Sequence, residues 1–145
     1  MERGPAVELP FELVLRDNAS WRGYWREPKL GIEVAGTQDA PIAPLLETLR
    51  DVIARWSEVQ QTIAAFVRAL ASDEHVPLQP ATIGGFAART CRFDQELYFS
   101  SISVTDASSP QRVHVTFYTG YPDGYATFEI VLDDGAPSSI SAFAS

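Results

Sequence analysis

Residues 44–71 of this chain read PLLETLRDVIARWSEVQQTIAAFVRALA. Apolar side chains recur in this stretch at alternating steps of four and three residues, a spacing that places them on one face of a helix. Pro44 is tolerated in the first turn of such a helix, and Pro77 prevents its continuation. The stretch therefore predicts one long amphipathic helix with an apolar stripe of Leu45, Leu49, Val52, Trp56, Val59, Ile63, Phe66 and Leu70.

The same repeat is also typical of a coiled coil, so the positions beside the stripe have to decide between the two structures. They include Arg50, Arg55, Thr62 and Ala64, which offer no ladder of opposite charges to a partner helix. We therefore expect the stripe to pack against a sheet of the same chain, with the helical dimer as the alternative.

Alternating apolar and polar residues predict strands on both sides of the helix. Before it, residues 7–16 and, after the aromatic stretch 21–26, residues 30–34 are expected to form an antiparallel pair. After it, residues 97–105, 112–119, 125–132 and 138–144 form four strands joined by short turns, which is a meander. The predicted fold is a single α+β domain over residues 1–145, of order β-β-α-β-β-β-β, with the long helix packed across an antiparallel sheet.

Charge is distributed unevenly over the 145 residues, whose net charge is −8. After Phe93 there are seven acidic residues and one basic residue. Such a field repels nucleic acid and anionic membranes and attracts basic proteins, although acidity also serves ordinary solubility. With no apolar run of membrane-spanning length, no signal-peptide pattern and a single cysteine, we expect a cytoplasmic protein that is a monomer or a weak homodimer.

Residues that commonly carry out catalysis are few. The two histidines, His75 and His114, and the single Cys91 lie at separations that match no metal-ligand spacing. The arginines around Cys91 could lower the pKa of its thiol, but a passive thiol is the simpler interpretation. Gly84-Gly85 lacks the lysine of a phosphate-binding loop. We therefore expect no enzyme activity, no cofactor and no bound metal.

Aromatic and acidic residues gather near the predicted hairpin loop 120–124. Tyrosines concentrate at protein interfaces because they bury a large area at little entropic cost. Adjacent acids before a glycine, as in 133–135, are also common turn residues. The candidate partner-binding residues are Tyr118, Tyr121, Asp123, Tyr125, Asp133 and Asp134.

The C-terminal pattern FYTGYPDGY at 117–125, FEIVLDDG at 128–135 and ISAF at 140–143 resembles the end of several uncharacterised bacterial families. Some of these occur as immunity proteins beside secreted polymorphic or contact-dependent toxins. Family members often have Gly-His or a tryptophan ahead of the final strands, where this chain has Gly124-Tyr125. The resemblance therefore implies a toxin-binding role and, as site residues, only the aromatic and acidic loop.

Three functions follow from these observations. The first is an immunity-type inhibitor whose acidic C-terminal sheet binds a basic toxin. The second is a small-molecule-binding protein or enzyme, in which a helix on a curved sheet encloses a cone as in cystatin-like and nuclear-transport-factor-like folds, with His114, Tyr118 and Glu129 in the pocket. The third is an acidic secretion chaperone, which would be a dimer.

Overall fold

Strands β1 to β3 precede the helices and strands β4 to β7 follow them in a computed structural model of the chain. It describes residues 9–71, 97–121 and 124–142, and within these ranges the side chains of 69–71, 119–121, 124–126 and 142 are not described. The elements are β1 (Val14–Arg16), β2 (Ser20–Trp25), β3 (Leu30–Ala35), α1 (Ala43–Ala54), α2 (Trp56–Ala71), β4 (Tyr98–Val104), β5 (Arg112–Tyr121), β6 (Gly124–Asp133) and β7 (Ala136–Ala142).

The seven described strands form one sheet in sequence order, β1-β2-β3-β4-β5-β6-β7. Every neighbouring pair is antiparallel except β3 and β4, which are parallel. A parallel pair requires a crossover connection, and α1 and α2 lie in that connection. The α+β class and the C-terminal meander are therefore confirmed, while the sheet is mostly rather than wholly antiparallel.

Tight turns between the strands use residues that tolerate positive φ. Asp17 and Asn18 have φ of 52° and 70° between β1 and β2. Asp134 and Gly135 have φ of 52° and 83° between β6 and β7. Two central residues with positive φ match the twist of a hairpin, and Asp-Gly is among the sequences that favour this turn. The predicted turn at 133–135 is thus confirmed.

The predicted single helix is interrupted at Arg55, which separates α1 from α2. The backbone N–H of Arg55 still bonds to the carbonyl of Asp51, and Val59 bonds to Arg55, each at 3.0 Å. Neither proline nor glycine marks the break. It coincides with Trp56, whose ring packs edge-on against Trp25 and Phe99. Because the apolar repeat runs through the break unchanged, the repeat predicted one helix where tertiary packing gives two.

Three strands precede the helices where two were predicted, and β1 is much shorter than residues 7–16. The stretch 21–26 contributes a full strand, β2, between β1 and β3. Before Val14 the chain leaves the sheet and crosses over β2 at Gly23. A Cβ at Gly23 would stand 2.6 Å from the carbonyl oxygen of Glu12. This close approach, which alternation cannot reveal, ends the pairing of β1 with β2.

The core lies between the helices and one face of the sheet, called the inner face. Trp56 and Ile63 are buried, as the apolar repeat predicts. Aromatic rings in contact run across the core from one edge of the sheet toward the other, through Phe11, Trp25, Trp56, Phe99, Phe117 and Phe128. The apolar stripe of the helices therefore packs on the chain's own sheet rather than forming the seam of a coiled coil.

Candidate functional site

The strand register assigns each residue to one of two faces, because cross-strand partners point to the same side and successive residues alternate. The face opposite the helices is called the outer face, and none of its described residues is buried. No described helix or strand packs on it. Two rows of partners cross it from β2 to β7: Arg22, Glu33, Ser103, His114, Val131 and Ser139, then Tyr24, Gly31, Ser101, Thr116, Glu129 and Ser141.

Three tyrosines are the largest exposed side chains of the outer face. Tyr98 on β4 and Tyr118 on β5 are direct cross-strand partners. Their rings stack with centroids 5.1 Å apart and planes inclined by 19°. They remain 41% and 36% exposed, and Tyr24 on β2 is 54% exposed. Exposed tyrosines held by a rigid sheet have the composition of an interface centre.

Charged side chains on the β2–β3 half of the outer face form ion pairs with one another. Arg22 Nη2 lies 3.7 Å from Glu33 Oε2 and 3.6 Å from Asp17 Oδ2. Ser20 Oγ also donates to Glu33 Oε2 at 2.7 Å. Because these side chains are 36–79% exposed, the pairs contribute little to stability. One arginine lies between two carboxylates, so Arg22 neutralises one of the two negative charges.

Glu129 on β6 has a different environment. Its Oε1 lies 3.4 Å from His114 Nδ1, and both side chains are about one-third exposed. A histidine compensates a carboxylate only when it is protonated. Among the described residues, no arginine or lysine lies within ion-pair distance of Glu129. Glu129 therefore places a carboxylate on the outer face whose neighbour among the described basic side chains is His114 rather than an arginine or lysine.

Asp106 and Asp133 are both bound to Arg112. Its Nη1 lies 3.0 Å from Asp106 Oδ2 and its Nε 2.9 Å from Asp133 Oδ1. A hydrogen bond from Ser108 is the main cause of the lowered pKa of Asp106, and Arg112 adds to it. Hydrogen bonds from Ser138 and then Arg112 lower the pKa of Asp133. The arginine joins the start of β5 to the end of β6, so Asp133 has a structural role.

The structure separates the sequence-predicted partner-binding residues. Tyr118 and Asp133 lie on the outer face, while Asp134 is exposed in the β6–β7 turn. Tyr121 and Tyr125 lie at the paired ends of β5 and β6, with no described side chain. Asp123 lies outside the described residues, as do His75, Gly84-Gly85 and Cys91.

Sequence reasoning missed Gly31, Ser101 and Thr116 as members of one site, although it singled out Tyr24 as aromatic. These four residues become neighbours only through the pairing of β2, β3, β4 and β5. In particular, the parallel contact between β3 and β4 brings Gly31 beside Ser101 although the two are far apart in the chain. No local pattern of residues marks that contact.

The pocket expected for an enzyme has a different geometry here. His114 and Glu129 do meet, but they meet on the outer face rather than between helix and sheet. On the inner face, Phe117, Phe128 and Ile130 are fully buried.

Two hollows lie elsewhere. An open groove of about 1270 Å³ runs beside β1 and β2, where Phe11, Tyr24 and Trp25 contribute rings. A hollow of about 210 Å³ lies between the helix break and the β6–β7 turn, with Asp51, Arg55 and Asp134 in its wall. In that wall Arg55 is bound to Asp51 and Glu58, at 3.4 and 3.1 Å.

The described residues hold no group of three or more histidine, cysteine, aspartate or glutamate side chains that could bind a metal ion. None of the helices in that part of the chain is long and apolar enough to cross a bilayer.

Comparison of the chain with protein-family models, with curated proteins and with solved structures finds no match. The function is therefore inferred from the residues of the outer face.

Proposed function

We propose that this protein is a non-catalytic protein-binding module whose outer face holds a basic protein partner. One observation carries the proposal: the stacked, exposed pair Tyr98–Tyr118 shares with Glu129 a sheet face that no described element covers. Interface centres are enriched in tyrosine, and a few such anchors supply most of the affinity.

In its specific form, the proposal is an immunity-type inhibitor that neutralises a basic bacterial toxin. The net charge of −8 would accelerate the encounter with a basic protein, while the tyrosines would supply short-range burial. Tyr121, Asp123 and Tyr125 at the β5–β6 end remain predicted parts of the contact. An acidic secretion chaperone would also bind a partner, but it would be a dimer in solution, which light scattering distinguishes.

The test uses the basic proteins encoded by genes adjacent to the gene for this chain. Binding is measured by biolayer interferometry at low and at physiological salt, for wild type, Glu129→Lys and Tyr118→Ala. Glu47→Lys is the matched control, because Glu47 is exposed on α1 and its reversal changes the net charge equally.

We expect Glu129→Lys to lower the association rate by about threefold to tenfold at low salt, and Glu47→Lys to lower it much less. Tyr118→Ala should raise the dissociation rate roughly tenfold, as loss of an anchor ring does. The proposal is overturned if no adjacent basic protein binds. It is also overturned if both charge reversals slow association equally, because net charge alone would then explain the binding.

A further inference from the structure

Small residues occupy the middle of one cross-strand row on the outer face. Gly31 on β3, Ser101 on β4 and Thr116 on β5 are successive partners in that row. Neighbouring strands lie about 4.8 Å apart, so the three residues form a floor about 10 Å wide. We call this feature the Gly31 hollow.

Larger side chains border the floor on every side. Tyr24 pairs with Gly31 at one end of the row, and Glu129 pairs with Thr116 at the other end. Glu33 and His114 belong to the neighbouring row on one side. The stacked Tyr98 and Tyr118 lie on the other side.

Gly31 itself is not required by the fold. A Cβ at this position would have its nearest neighbours at 3.7 and 3.9 Å, which is ordinary van der Waals contact. Glycine inside a strand weakens it, because it packs no side chain and loses more entropy on folding. A strand glycine often marks a bulge or a place where another group approaches closely. Both apply at Gly31, because the register of β4 with β5 shifts between Phe99 and Ser101 beside it and its outer side is left without a side chain.

We infer that the Gly31 hollow seats an arginine side chain of the protein partner. A guanidinium plane stacks on tyrosine rings and binds a carboxylate through two parallel hydrogen bonds. The aliphatic part of the partner's arginine side chain would cross the floor at Gly31 and Ser101, and its guanidinium group would lie at Glu129. Glu33 is already bound by an arginine, Arg22, and by Ser20, whereas Glu129 has only His114 beside it among the described basic residues, so Glu129 is the carboxylate that the partner's arginine binds. This inference rests on the proposed function and names the chemistry that the outer face recognises.

The experiment titrates the ¹⁵N-labelled full chain with N-acetyl-arginine methylamide and follows backbone amide shifts. N-acetyl-citrulline methylamide is the control probe, because it has the same shape without the charge. We expect saturable shifts at Gly31, Ser101, Thr116 and Glu129 with millimolar affinity, and binding of the citrulline probe weaker by about fivefold to tenfold.

Two variants separate the hollow from the rest of the face. Gly31→Leu fills the floor, while Ser139→Leu adds the same side chain at an exposed position of the same face near the β7 edge. Gly31→Leu and Glu129→Gln should each weaken arginine binding at least fivefold, and Ser139→Leu should leave it unchanged. A thermal melt of each variant checks that the fold is intact.

Equal binding of the two probes overturns the inference, as does undiminished arginine binding by Gly31→Leu. If the arginine probe gives no shifts in the hollow but an adjacent basic protein still binds in a Glu129-dependent way, the inference fails and the proposed function stands. If neither binds, both fail.

Discussion

The inner and outer faces of the sheet are built from alternate residues of the same strands, yet they have opposite chemistry. On β5, Val113, Val115 and Phe117 are buried, while His114 and Thr116 between them are partly exposed. The inner face is covered by the helices and packed with aliphatic and aromatic side chains. The outer face has tyrosines, hydroxyl groups and a glycine that nothing in the fold requires. The inner face therefore contains the core, and the outer face is the one for which we propose a recognition role.

Truncation of two adjacent residues of β5 gives the strongest test of the difference between the two faces. Phe117→Ala should lower the free energy of unfolding by about 3–5 kcal/mol, because Phe117 is fully buried between Phe99 and Phe128. Thr116→Ala, one residue away on the outer face, should cost less than about 1 kcal/mol. Urea unfolding measures both, and similar losses would show that the outer face is also packed in the core.

The helices give the next largest effect. Ile63→Ala should cost about 2–5 kcal/mol, because Ile63 is fully buried against the sheet. Gln61→Ala, at an exposed position of the same helix, should change stability by less than about 0.5 kcal/mol. A loss below about 1 kcal/mol for Ile63→Ala would show that this side of α2 is not the core.

Substitution of two glycines gives a further test, because a Cβ added at each would point to opposite sides of the sheet. At Gly23 an added Cβ meets the Glu12 carbonyl at 2.6 Å on the inner face, so Gly23→Ala should cost about 1–3 kcal/mol. At Gly31 an added Cβ makes only ordinary van der Waals contacts, at 3.7 and 3.9 Å, so Gly31→Ala should stabilise by about 0.5–1 kcal/mol. Thermal melts rank the two variants, and the opposite order would contradict the assignment of the faces.

The smallest effect concerns the ion pairs of Arg112. The folded-state pKa of Asp133 lies below its unfolded value, so its contribution to stability is present above about pH 4 and is lost as pH falls through the folded pKa. Asp133→Asn should therefore lower the melting temperature slightly at pH 6 and hardly at pH 2. Asp39→Asn, at an exposed loop position, is the control. A difference between wild type and Asp133→Asn that grows with acidity would contradict the assigned direction.

Part of the candidate site could be predicted from the local sequence pattern. Tyr118 was singled out because an aromatic residue beside a turn has a physical reason to lie at an interface, and the structure places it exposed on the outer face. Asp133 was grouped with it on charge alone, but the structure binds that charge to Arg112. The sequence gives the sign of a residue's charge. Whether that charge is compensated depends on which side chains reach it in the folded protein.

The sequence by itself determined the α+β class, the apolar stripe that packs on the sheet and the C-terminal meander. These features are local, because each depends on the period of apolar residues and on the turn residues between them. Three other features follow only from the tertiary structure: the break between the helices at Arg55, the departure of the chain from β2 at Gly23 and the parallel pairing of β3 with β4. Those contacts join residues far apart in the chain. The Gly31 hollow belongs to this second group, since its floor and rim come from five strands that only the sheet brings together.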